Sequence, residues 1–173
     1  MIPIRPEVQR LNEAGFKAAK KMAAAKNLMA FKFPIRGTSR LDATLNDPST
    51  DDIVGMVEIK TRTFNEDAFL RWNKELRVGM DKWAASYRNA CTHQVPHYYM
   101  AFFEPSNVVY LQQVFAVDVT GDYSRPLLRT NTRFANEWSD TYYKSAERRL
   151  ESFVYIDMSK AERFDLNNPE ELF

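Results

Sequence analysis

Cysteine occurs once, at Cys91, so no internal disulfide can brace the chain, and a reducing compartment is expected. Only 5 glycines stand among 173 residues, which excludes collagen-like and glycine-rich low-complexity chains. Charges interrupt every apolar stretch, even the alanine-rich one around Ala24. No window therefore approaches the run of about 18 apolar residues that a membrane-spanning helix needs. Near Met1 no basic stretch leads into an apolar run of secretory length, so a cytoplasmic location is expected. Net charge is nearly absent too, at +1, which excludes a histone-like polycation.

What remains is 45% hydrophobic and 13% aromatic, enough apolar matter for one packed domain over residues 1–173. The charge is unevenly spread. Residues 1–40 carry nine basic side chains against Glu7 and Glu13, whereas residues 41–70 carry seven acidic ones against Lys60 and Arg62. A basic segment feeding an acid-rich one suits a phosphate-binding surface beside a carboxylate cluster; a solvated helix face followed by acidic loops is the alternative.

Apolar spacing predicts a first helix from Pro6 to about Lys26, with Lys17, Lys20 and Lys21 on its outer face. Three strands follow: Leu28 to Ile35, the alternating Leu41 to Asn46, and Ile53 to Arg62. Residues 65–90 read as one long helix or a pair broken near Gly79. A hairpin of Tyr98 to Phe103 and Val108 to Val119 comes next, turning at Glu104-Pro105-Ser106-Asn107. No clean period appears from Thr120 to Trp138. Phe153 to Met158 suggests a last strand, with a short helical or irregular tail behind it.

On the third strand, the two-residue period sends Glu58 and Lys60 to one face and Val57 and Ile59 to the other. Asp42 projects opposite Leu41 and Ala43, so a short meander brings it beside Glu58. Two carboxylates and a lysine then converge. Carboxylate oxygens suit Mg²⁺, which polarises a phosphate and acidifies bound water, while a lysine orients the nucleophile or balances developing charge. The alternative is an exposed strand face with a cross-strand ion pair.

Asp42 and the run Val57-Glu58-Ile59-Lys60-Thr61-Arg62 resemble the motif of the PD-(D/E)xK nuclease superfamily, particularly its resolvase-like branch. The likeness spans roughly residues 6 to 103, and Leu41 stands where the family's proline precedes the aspartate. The resemblance implies an α/β fold with a restriction-endonuclease-like core of αβββαβ order over about residues 6–119, followed by an extension at 120–173. It further implies Mg²⁺, replaceable by Mn²⁺, held by Asp42, Glu58 and the Ile59 carbonyl, with Lys60 positioning water. Family members often add a first-helix glutamate. Helical phase puts Glu7 on the face of Leu11, Ala14 and Ala18 and Glu13 among the lysines, so Glu7 is the expected fourth catalytic group. Its alternative is a carboxylate that merely complements the helix dipole.

Arg36, Arg40, Arg62 and Lys82 are the expected nucleic-acid contacts. Cys91, His93 and His97 offer three ligands without a fourth at fixed spacing, and are read as a loop entering a strand. The aromatics Tyr98, Tyr99, Phe102 and Phe103 are read as core. The expected activity is metal-dependent DNA endonuclease action, on DNA as partner, with a homodimer left open. A non-cleaving nucleic-acid-binding or inhibitory protein, a phage-type exonuclease and an interaction domain are the alternatives.

Overall fold

The computed structural model describes residues 5–32, 42–120, 123–140 and 148–168. Its first helix, α1 (Pro6–Ala25), starts where Pro6 supplies a preset φ and needs no donor, and buries Gly15, Ala18, Ala19, Met22 and Ala23. The strands β1 (Met29–Lys32), β2 (Ala43–Asn46) and β3 (Ile53–Arg62) then form an antiparallel meander. Ala43 stands opposite Val57 and Thr44 opposite Met56.

A short helix α2 (Glu66–Arg71), a strand β4 (Glu75–Gly79) and a helix α3 (Met80–His93) form the crossover to β5 (His97–Phe103), which lies parallel to β3. The stretch expected as a long or broken helix therefore contains a strand. Asn73 and Lys74 both take positive φ, which ends α2, and Glu75-Leu76-Arg77-Val78 then alternates with Leu76 and Val78 buried. Leu76 also falls at helical spacing with Trp72, Met80 and Trp83, which is why periodicity alone misread the segment.

Next come β6 (Val108–Thr120), β7 (Tyr123–Leu128), β8 (Thr132–Asp140), β9 (Arg148–Asp157) and β10 (Glu162–Asp165). Among the described residues, one mixed sheet runs β1-β2-β3-β5-β6-β10, with β7 also paired to β6, and a second sheet runs β4-β9-β8. Pro126 lies in β7, which among the described residues pairs with β6 alone. Neither β7 nor β8 was legible as a strand. On β8 the large apolar residues Phe134 and Trp138 are exposed, so hydrophobicity there does not follow burial. The described part of the tail is not helical, since β10 pairs with β6. Residues 148–168 thus belong to both sheets, and β9 sends Val154 and Ile156 into the core.

The architecture is α/β, with a mixed central sheet between helices. On one face of that sheet Leu45, Val57, Ile59, Met100 and Leu111 pack against α1. Gly15 allows the close approach: a Cβ there would collide with Thr61 Oγ1 and come within 2.9 Å of Ile59 Cγ2. Thr61 Oγ1 also donates to the Leu11 carbonyl at 3.1 Å. On the other face, Tyr99, Ala101 and Phe103 pack with Phe69, Leu76, Val78, Val154 and Ile156. These aromatics of β5 fill the core, and Phe102 is buried on the α1 side. Among the described residues, no helix is long and apolar enough to cross a membrane.

Candidate active site

β3 carries Glu58 and Lys60 on the face opposite α1. Glu58 is 1% exposed, and its Oε1 accepts from Lys60 Nζ at 2.8 Å. Lys82, on the first turn of α3, approaches the same oxygen at 3.3 Å. The two ammonium groups supply the opposite charge and hydrogen bonding that a carboxylate this deeply buried needs.

Continuing the β2–β3 register one residue beyond Ala43–Val57 sets Asp42 opposite Glu58. Its carboxylate accepts the Ile59 N–H at 2.7 Å, so the side chain occupies the edge of β3 that β2 leaves uncovered. A strand residue sends its N–H and C=O to the same edge, so the Ile59 carbonyl also points to the side where Asp42 stands. Burial first, and the Glu58 charge second, push the Asp42 carboxyl up to about 6, partly offset by the Ile59 N–H and by Lys82 and Lys60. Two carboxylates crowded this way, with a backbone carbonyl beside them, form a hard-oxygen donor set suited to a divalent cation.

Helix α3 is tied down beside them. Ser86 Oγ donates to the Lys82 carbonyl at 2.9 Å and lies 2.6 Å from the Tyr99 hydroxyl. Tyr99 stands opposite Glu58 in the β3–β5 register. This pair holds the first turn of α3 over the carboxylate, and burial pushes the Tyr99 hydroxyl up, keeping it a neutral donor. Ser86 was not among the expected residues. Its signal was its place one turn after Lys82 on the same helical face.

Glu7 is exposed in the first turn of α1, eight residues before the Gly15 that sits over Ile59 and Thr61. At 1.5 Å per residue it lies about 12 Å farther along the helix axis, and α1 covers the opposite face of the sheet. The structure does not bring it to Asp42 and Glu58. Among the described residues, no group of three or more His, Cys, Asp or Glu side chains could hold a metal. Arg62 ends β3 and donates to the Arg77 carbonyl at 3.1 Å. Arg36 and Arg40 lie outside the described residues. Lys17, Lys20 and Lys21 are exposed on the outer side of α1.

Cys91 and His93 fall in the last turns of α3 rather than in a loop, because the helix runs on to a left-handed cap at Gln94. His97 begins β5 and is fully buried against the rings of Tyr99 and Phe115. Neither of its ring nitrogens makes a hydrogen bond of good geometry among the described residues. Burial pushes its imidazole down to about 4, although the Glu58 charge opposes this. The folded protein therefore excludes a proton that the unfolded chain binds below about pH 6.5. Lowering the pH from 6.5 to 4 is expected to cost about 3 kcal/mol of stability through this residue. Urea unfolding of wild type and His97→Phe across that range should diverge accordingly, and identical pH dependence would contradict a buried neutral imidazole.

Comparison with protein-family models, with curated proteins and with solved structures returned no match for this chain.

Proposed function

We propose that this protein is a metal-dependent nuclease that hydrolyses phosphodiester bonds in DNA, with the restriction-endonuclease-like core its motif resembles. The observation that carries the reading is Asp42 bonded to the Ile59 N–H beside the buried Glu58, with Lys60 on the same strand face. The chain order supports it: a helix, a three-strand antiparallel meander, then a helix leading to a strand parallel to the third. The α2–β4 segment is an insertion into the αβββαβ pattern.

In this reading Asp42, Glu58 and the Ile59 carbonyl hold Mg²⁺, or Mn²⁺ in its place. Such a cation, when bound, would supply Lewis acidity toward the scissile phosphate and a water of lowered pKa. Lys60, 18% exposed and already beside Glu58, orients the attacking water and balances the charge gathering on the phosphoryl oxygens. Lys82 adds a second cation from α3, held by the Ser86–Tyr99 hydrogen bond. Water oxygen bonds to phosphorus, one ester P–O bond breaks, and the leaving oxygen takes up a proton. Arg62 lies two residues beyond Lys60 on the same face, in line to meet the substrate backbone.

A second reading, a nucleic-acid-binding protein that does not cleave, draws on the lack of a third carboxylate at the site among the described residues. Purified protein tested on linear duplex, branched and single-stranded DNA, and on RNA, separates the two. Cleavage that requires Mg²⁺ or Mn²⁺ and disappears in Glu58→Gln is expected. A folded protein that binds these substrates and cuts none of them would establish the second reading instead.

A further inference from the structure

A cleft of about 900 Å³ opens beside Lys60, between the end of β3, the end of α2 and the second sheet. Among the described residues its walls carry Lys60, Arg62, Arg71, Arg77 and Arg133 against the carboxylate of Glu75. Some of this charge is already committed: Arg77 pairs with Glu137 and stacks over Phe153, and Arg133 pairs with Glu75 and stacks over Tyr155. Among the described residues, Arg62 and Arg71 have no carboxylate partner. Arg62 is half-buried and has Arg77 as its charged neighbour. Its hydrogen bond to the Arg77 carbonyl at 3.1 Å brings no negative charge, so a guanidinium withdrawn from water beside a like charge calls for an anion from outside.

The cleft also presents aromatic surface. Trp72, 58% exposed, meets Phe64 edge to face at 5.3 Å, and both line the cleft. An exposed indole next to guanidinium groups that have no carboxylate partner among the described residues is the combination that binds single-stranded nucleic acid, through base stacking and phosphate pairing. The volume is that of a small-molecule site and too small for a duplex.

We propose that this cleft holds a single-stranded segment of the substrate, with phosphates on Arg62 and Arg71 and an unstacked base on Trp72, and leads the strand to the carboxylate pair through Lys60. The choice of nucleic acid as occupant rests on the nuclease reading. The substrate class it specifies is DNA with a single-stranded end, flap or gap.

The test is fluorescence anisotropy with a labelled thymidine 12-mer and a 12-base-pair duplex, in EDTA so that nothing is cut. Trp72→Ala is expected to weaken single-strand binding roughly tenfold or more while changing duplex binding less than about twofold. Trp72→Phe, which keeps a π face, should restore most of the affinity. Arg71→Gln should flatten the log-log salt dependence for the single strand by about 0.7. Wild-type affinity in Trp72→Ala, an equal loss on both substrates, or no single-strand binding by the wild type would each overturn the proposal. Cleavage is scored separately with Mg²⁺. If Trp72→Ala loses single-strand binding but no substrate is cut, the nuclease reading fails and the cleft assignment stands; cutting with Trp72 irrelevant is the reverse case.

Discussion

Replacing Lys60 with alanine is expected to slow cleavage by roughly 10² to 10³ at saturating substrate, with DNA affinity changed little. The reason lies in where its charge sits. Lys60 Nζ is 2.8 Å from Glu58 Oε1, and in the proposed mechanism the ammonium would stand where negative charge grows as water adds to phosphorus. Its interaction strengthens in the transition state, so the loss falls on the rate rather than on binding. Stability is a useful control. Stripping a partner from a buried ion pair costs about 3–5 kcal/mol when the other charge is stranded. Here Lys82 remains 3.3 Å from the same oxygen, so the variant should lose less than that and stay folded. Lys82→Ala should slow cleavage less, because that side chain is farther from Glu58 and more exposed. Single-turnover cleavage by a folded Lys60→Ala protein at a rate near wild type would remove Lys60 from the mechanism.

The side-chain directions on β3 were readable from residue spacing because strand period is so strict a constraint. Once Ile53 to Arg62 is a strand, Val57 and Ile59 must face one layer and Glu58 and Lys60 the other, and the two packed faces follow that division. Asp42 could be set beside Glu58 because the loop from Asp47 to Asp52 leaves a short antiparallel return. Glu7 illustrates the limit. Helical phase gave its direction around α1 but not its distance along the axis, which depends on where Gly15 seats the helix against Ile59 and Thr61. The strand β4 was invisible for a different reason. Leu76 also fits the helical series Trp72, Leu76, Met80, Trp83, and the pairing that makes it a strand residue comes from β9, more than 70 residues away. The cleft was equally hidden, because Trp72, Arg77 and Arg133 meet only after β4, β8 and β9 have assembled.

Asp42→Asn is expected to abolish cleavage and, in EDTA at pH 7, to make the protein more stable by about 1–3 kcal/mol. Burial and Glu58 raise the Asp42 carboxyl to about 6 in the folded chain, against about 3.8 for the free group. Its ionised form is therefore penalised in the fold. The sign follows from linkage: below about pH 3.8 the aspartate is protonated in both states and behaves much like asparagine, while above about pH 6 the full penalty is present. The stability gap between variant and wild type should open between those values and stay constant above them. Asparagine still offers a carbonyl oxygen to the Ile59 N–H, so the 2.7 Å hydrogen bond is preserved and the change isolates the charge. Adding Mg²⁺ should then reverse the order. A cation that binds the folded wild type at about 100 times its Kd stabilises it by about 2.7 kcal/mol. Asparagine supplies one charge fewer, and the variant should gain much less. A structural ion-pair cluster behaves differently, because Lys60 and Lys82 already neutralise Glu58 and Mg²⁺ would stabilise neither protein. Thermal unfolding of both proteins with EDTA and with Mg²⁺ therefore distinguishes a metal site from a buried ion pair, and an equal response to Mg²⁺ would withdraw Asp42 from the donor set.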